Sequence, residues 1–303
     1  MIGAGPSSLS AAIYTTREDI DTVVYEKGAI GGLAAVTDKV DNYPGFPDGI
    51  EGLKLAGYLE KQAERFGAHI EFGDVTAIKT ESGIKVVTVD GVEVRAKAVL
   101  IATGSDYNKI GVPGEADYYG RGVHYCATCD GAFYREKRLV VVGGGNSAVQ
   151  EAIFLTRFTT HIDLLVRSTI KASDVLRRDL DEFIKEGKIT VHLGTTTDEI
   201  VAVDGQVTSV KATKMGTPVI FETNGVFVFV GLKPNTEFLA GSDIELDEQG
   251  LIKTNSHLET NVKGIFASGD VRSGATMQIA SAVGEGASAA LAIREYIDEL
   301  ARI

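Results

Sequence analysis

Cys126 and Cys129 are the only cysteines in a chain of 303 residues, and they stand three apart in Cys126-Ala127-Thr128-Cys129-Asp130. In a turn or a first helical turn, that spacing lets two sulfurs close a short-loop disulfide that exchanges readily through a thiolate. Asp130 follows at once, and a carboxyl group beside a dithiol can move protons as thiol and thiolate interconvert. Two other readings stay open: a pair of inert buried cysteines, or half of a zinc site with His124 as a third ligand. A structural zinc ion needs four ligands, and His69, His161, His192 and His257 show no ligand spacing. His124 lies two residues before Cys126. It can be read as a group that lowers the thiol's pKa or as a satisfied loop histidine.

A second kind of chemistry is written in glycine. Gly3-Ala4-Gly5-Pro6-Ser7-Ser8 precedes a helical run, Leu9 to Arg17, and an apolar strand, Thr22 to Tyr25, that ends at Glu26, 23 residues after Gly3. A phosphate-binding turn, a helix and a strand closing on an acid are the parts of a dinucleotide-binding βαβ unit. The turn amides would bind pyrophosphate, and Glu26 would accept from ribose hydroxyls. Ser8 stands where the pattern has its third glycine, and only Met1 and Ile2 precede Gly3, which leaves almost no first strand.

One glycine turn is a weak signal, but this one recurs. Leu139 to Val142 is an apolar strand that enters Gly143-Gly144-Gly145-Asn146-Ser147-Ala148, 140 residues after the first turn, and Val149 to Leu155 continue as a helix. The strand Ile162 to Val166 follows. No acid stands where Glu26 does in the first copy; that place is Val166, followed by Arg167 and then Lys171. Cations without an acid favour a nucleotide 2′-phosphate over a bare ribose. Arg177 and Arg178 also read as the solvated face of a helix at 173–185.

The elements that position these groups follow from periodicity. Residues 51–66 read as an amphipathic helix through Leu53, Ala56, Leu59, Ala63 and Phe66. Ile84 to Val94 reads as a hairpin around Asp90-Gly91. Val99 to Ala102, Gly225 to Gly231 and Gly264 to Asp270 read as buried strands, and Gln278 to Leu291 as a helix rich in small residues. The expected crossovers between domains are Val112-Pro113-Gly114-Glu115 and Leu232-Lys233-Pro234-Asn235, the second read as a turn.

Composition narrows the classes. The net charge of −12, with no clustered Lys or Arg to offset it, argues against nucleic-acid binding. Hydrophobic residues make up 44% and charged residues 24%, an ordinary globular mix, and no apolar run is long enough for a bilayer. Met1 to Gly5 does not read as a signal peptide, so a cytoplasmic protein is expected.

Two nucleotide units with a Cys-x-x-Cys just before the second resemble the low-molecular-weight thioredoxin reductases over essentially the whole chain. The resemblance is carried by Gly3-Ala4-Gly5-Pro6, Gly31-Gly32-Leu33, Asp41-Asn42-Tyr43-Pro44-Gly45-Phe46, Ala102-Thr103-Gly104, Cys126 to Gly131, Gly143 to Ala148, and Gly269-Asp270-Val271 with Gln278-Ile279-Ala280. It implies an α/β fold of two Rossmann-like nucleotide-binding domains, the second inserted into the first. Residues 1–113 and 233–303 would bind FAD, and residues 114–232 would bind the pyridine nucleotide and carry the cysteine pair.

The flavin-binding residues implied are Gly3, Gly5, Pro6, Ser7, Glu26, Lys27, Gly31, Gly32, Leu33, Asn42, Ala102, Thr103, Gly104, Gly269, Asp270, Gln278, Ile279 and Ala280. Those for the second nucleotide are Gly143, Gly145, Asn146, Ser147, Arg167 and Lys171. Cys129 would face the flavin, Cys126 would attack a protein disulfide, and Asp130 would be the acid–base group. Such proteins are homodimers that reduce thioredoxin and rotate one domain against the other. The family's His-Arg-Arg-x-x-x-Arg stretch is here Val166-Arg167-Ser168-Thr169-Ile170-Lys171, so NADPH is the expected donor, with NADH, a deazaflavin or ferredoxin as alternatives. The rival readings are a flavin-dependent reductase of ferredoxin–NADP type with an incidental Cys-x-x-Cys, and a flavin-binding redox sensor without turnover.

Overall fold

The structure, a computed structural model, describes residues 1–37 and 39–302. The chain forms two compact units, Met1–Asp106 with Lys233–Ile303, and Tyr107–Leu232 inserted between them.

In the first unit, Val23–Glu26 pairs in parallel with His69–Phe72, and Val99–Ile101 in parallel with Ile265–Ala267. The gap between these pairs is closed by the first three residues. Ile2 bridges both Tyr25 and Ile101. Gly3 N–H donates to Tyr25 O, Tyr25 N–H to Met1 O, Ile2 N–H to Leu100 O, and Ala102 N–H to Ile2 O. A stretch this short suffices as a central strand because both of its edges are paired, so its neighbours supply the ladder.

Alternation along the strands sends side chains to two covers. Ile2, Val99, Ile101, Ile265 and Ala267 pack in one cluster with Val75, Ile78, Val87 and Val89 of an antiparallel three-stranded sheet. Leu100 and Phe266 pack instead in a cluster with Ala11 of the helix Pro6–Arg17 and Ala289, Ile293 and Tyr296 of the helix Ile279–Leu300.

The second unit repeats this plan. Its parallel sheet runs Ile189–Leu193, His161–Val166, Arg138–Val142, Val226–Val228, Val123–His124. Leu139 and Val141 cluster with Val149, Ala152 and Leu155 of the helix Asn146–Leu155. Val140 and Val142 cluster with Ile200, Val207 and Val210 of a second antiparallel meander.

Four element expectations need correction. In the helix Gly52–Arg65 the buried face is Leu55, Ala56, Leu59 and Ala63, while Leu53 is 69% exposed. Leu53 stands two residues before Leu55, roughly 200° away around the helix. Leu232–Pro234 is extended rather than a turn, because Pro234 restrains its predecessor to β space. Only Val226–Val228 of the run Gly225 to Gly231 is strand, since its partner Arg138–Val142 ends at the Gly143 turn. The last helix runs on to Leu300, where Arg294 and Glu295 broke the apolar pattern although Ile293 and Tyr296 are still buried.

Candidate active site

Cys126 and Cys129 are bonded to each other. Val123–His124 ends at Tyr125, and Cys126 then caps the short helix Ala127–Asp130. The Cys129 N–H donates to Cys126 Sγ at 3.2 Å. A donor aimed at that sulfur favours negative charge there once the bond is opened. Both cysteines are half-buried and Thr128 between them is exposed.

Asp130 closes the same helical turn, and its Oδ2 lies 3.1 Å from His124 Nδ1. The other ring nitrogen, Nε2, is 2.7 Å from Tyr134 Oη. His124 is 4% exposed and stacks on Phe227. It is therefore a satisfied histidine, but on a strand and joined to Asp130. With both ring nitrogens engaged and the sulfurs bonded to one another, the zinc reading loses its ligands. Burial, and then the Asp130 charge, push the ionisation of Tyr134 upward, so it stays a phenol. Nothing in the sequence marked Tyr134, which stands five residues after Cys129.

The two glycine turns match residue for residue. Gly3 and Gly143 have φ of +89° and +143°, and a Cβ would lie 2.7 Å from Ala102 O and 2.3 Å from Phe229 O respectively. The fold itself requires glycine at both. Gly5 and Gly145 are different. Each sits at a helix start with ordinary φ, and an added Cβ would meet nothing within 4 Å. No packing need accounts for them; the space they leave is the space a pyrophosphate needs above helix amides that no side chain caps. Ser8 and Ala148, third in the pattern, are fully buried.

Around the first turn, Glu26 accepts from Ala4 N–H and Gly28 N–H, both at 2.7 Å, and so ties the turn to the strand end. Each carboxylate oxygen keeps a second lone pair for a ribose hydroxyl. A cleft of about 340 Å³ is lined by Gly3, Glu26, Lys27 and Thr103, together with Asp74, Thr76 and Asn235, which the sequence reading missed. Asn235 exchanges bonds with the Thr103 backbone and side chain. The Gly31–Gly32 turn lies against the first glycine turn: Gly31 N–H donates to Ala4 O, and Gly32 faces Gly5. Leu33 continues the short helix Gly32–Ala35.

Further residues converge across long stretches of sequence. Asn42 Nδ2 donates to Gln278 Oε1 at 3.1 Å, with Ile279 and Ala280 opening the last helix. Ser7 and Ser268 share a 2.6 Å hydrogen bond beside Pro6 and Gly269. Gly104 has φ of +67° with open space above it, and Ala102 follows the strand Val99–Ile101 with its N–H donating to Ile2 O. Burial first, then the Glu285 charge, push Asp270 up to about 6.

A second cleft, of about 680 Å³, is lined by Gly143, Gly145, Asn146, Ser147, Arg167 and Lys171. Asn108, Lys109, Thr195 to Thr197 and Phe229 to Gly231 line it too. Phe229 to Gly231 were legible in principle, because ligands bind beyond the carboxyl ends of parallel strands. The Thr195 to Thr197 run carried no signal. Arg177 pairs with Asp174 on the exposed helix Asp174–Lys185, and neither it nor Arg178 lines the cleft, so the solvated-face reading holds for them.

Two dinucleotide-binding units, one bearing an exchangeable cysteine pair with an acid held beside it, define an oxidoreductase acting on disulfides. The chain belongs to the pyridine nucleotide-disulphide oxidoreductase family, whose pattern matches residues 1–286. It is 41% identical to the thioredoxin reductase of Bacillus subtilis, over 99% of this chain and 94% of that protein. The thioredoxin reductase of Treponema pallidum is 39% identical, over 99% of this chain and 97% of that one. Among solved structures, thioredoxin reductase from Streptococcus pyogenes superposes with a TM-score of 0.93 at 38% identity, covering 98% of this chain and 97% of that chain. This family implies FAD and a nicotinamide electron donor, and the two empty-sided glycine turns fit one dinucleotide each.

Proposed function

We propose that this protein is a thioredoxin-disulfide reductase, passing electrons from NADPH through FAD to the Cys126–Cys129 pair and on to thioredoxin. The observation that carries the reading is the bonded pair with Asp130 held beside it. The discontinuous unit is the flavin domain and the inserted unit the pyridine-nucleotide domain, the chain crossing between them near residues 106–113 and 232–233. The protein works as a homodimer in the cytoplasm, where thiols are kept reduced; among its described residues no helix is long and apolar enough to cross a membrane.

Bound FAD would supply the electron pair that opens the disulfide, held by the first glycine turn, Glu26, Asn42, Asp270 and Gln278. The rest is the chain's own chemistry. Cys126, as thiolate, attacks thioredoxin's disulfide; that bond breaks, a mixed disulfide forms, and the departing thiolate takes the Asp130 proton. Cys129 passes its proton back to Asp130 and attacks the Cys126 sulfur. The mixed disulfide breaks, thioredoxin leaves with a second thiolate that water protonates, and the Cys126–Cys129 bond is restored. Arg167 and Lys171, with no acid at Val166, support a 2′-phosphate on the donor, although Lys is a weaker clamp than Arg.

The test is anaerobic bleaching of the flavin by NADPH, NADH, a reduced deazaflavin and reduced ferredoxin side by side, followed by thioredoxin. NADPH is expected to bleach fastest and the parent to reduce thioredoxin, while Cys129→Ser bleaches but loses thioredoxin reduction. Thioredoxin turnover by Cys129→Ser at the parent rate, or protein that takes up no flavin, overturns the proposal.

A further inference from the structure

His124 is a buried, ionisable side chain for which disulfide exchange as described above has no use. The titratable groups placed against its ring are Asp130, from the cysteine-bearing helix, and Tyr134, from the turn that follows it. The strand Val226–Val228 contributes Phe227, which is neutral, and the cysteine pair is uncharged while bonded. These contacts constrain the hydrogens in the step where Asp130 has given up its proton. An ionised carboxylate only accepts, so in that step Nδ1 carries a hydrogen toward Asp130 Oδ2. The neutral ring then has a bare Nε2, and the Tyr134 phenol donates to it. One direction, Tyr134 to His124 to Asp130, satisfies every partner, and the tautomer is set by the bond at the far nitrogen.

We infer that His124 is a positioning residue for disulfide exchange: its Nδ1–H holds the Asp130 carboxylate in place between loss and recovery of the proton, and Tyr134 keeps the ring in the donating tautomer. This rests on the proposed role of Asp130 as proton carrier. Asp130 must be an anion for part of each exchange, at a site only 17% exposed. A fixed donor stabilises that anion without the cost of recruiting water. Tyr134 is in turn seated by Gly225, where a Cβ would lie 2.4 Å from its ring. The glycine thus secures the far end of the chain of hydrogen bonds.

Asn and Gln separate positioning from mere filling of space. Asn can present an N–H near where Nδ1 stands and so keep the bond to Asp130. Gln reaches toward the Nε2 position and Tyr134. The experiment uses the full flavin-loaded chain with its cysteine pair reduced by dithiothreitol and the reductant removed. The pair is mixed with oxidised thioredoxin and quenched with acid, and thiols are labelled across the pH range in which carboxyl, imidazole and thiol groups titrate.

His124→Gln and His124→Ala are expected to slow exchange by about tenfold or more and to depart from the parent's pH profile, whereas His124→Asn stays within about threefold. The melting temperatures of all three are measured alongside, since a space-filling role predicts that rate follows stability. The inference is overturned if Asn is no better than Gln, or if all variants keep the parent's rate and profile. Should the parent itself fail on thioredoxin, the proposed function falls. The same ranking is then read with an aromatic small-molecule disulfide, which tests His124 independently.

Discussion

Gly5 and Gly145 have neither a left-handed φ nor a neighbour to avoid, so the protein alone gives no reason for them. Gly5→Ala is therefore expected to leave the stability of the flavin-free protein within about 0.5 kcal/mol of the parent, yet to lose flavin on gel filtration. Gly3→Ala, with its Cβ 2.7 Å from Ala102 O at φ +89°, should destabilise the flavin-free protein itself. Equal loss of stability in both would refute the distinction. Asp270 offers a second measurement at this scale. Its folded value of about 6 exceeds the ordinary aspartate value of 3.8, so the folded state takes up a proton between these limits. That contribution is fully present below about pH 4 and is lost as pH rises through about 6, a span worth at most roughly 3 kcal/mol. In the flavin-free protein, the stability difference between Asp270→Asn and the parent should therefore widen in the variant's favour across that window. A difference independent of pH would count against it.

Helices in the first unit meet through small residues. Gly286 lies where the helices Pro6–Arg17 and Ile279–Leu300 touch, and a Cβ there would be 2.0 Å from Ser7 O and 3.2 Å from Ala11 N. The obstacle is backbone, which cannot swing aside as a side-chain tip can. Gly286→Ala should cost about 3 kcal/mol or more and, because Ser7 stands in the first turn of the helix that follows the first glycine turn, weaken flavin retention as well. Thermal melts of the flavin-free protein check the first outcome; a change below about 1 kcal/mol would mean that the helices separate freely.

Each unit carries a parallel sheet with its own two covers, and the clusters around Leu139 and Val140 draw only on residues between Tyr107 and Leu232. A fragment of residues 107–232 has the size and closed core of an independent domain. It should fold cooperatively, by circular dichroism and a dispersed amide spectrum, and form the Cys126–Cys129 bond on oxidation. A fragment that stays unfolded would show that the second unit depends on the first.

Local chemistry sufficed for much of this. The glycine turns were legible because a tight strand-to-helix turn and an open phosphate seat leave residues little choice over a few positions. The cysteine pair was legible because three-residue spacing alone brings two sulfurs within bonding reach. The strands around them showed as continuous apolar runs since both faces of each sheet are covered. Sequence could not say that Met1 to Gly3 serve as a central strand, because their partners Tyr25 and Leu100 lie far along the chain. Nor could it join Asn42 to Gln278, or find that His124, read as a thiol-lowering group or a satisfied loop histidine, is bonded to Asp130. Hydrogen bonds of that kind depend on which backbone segments the sheet brings side by side, and that is decided only when the whole unit packs.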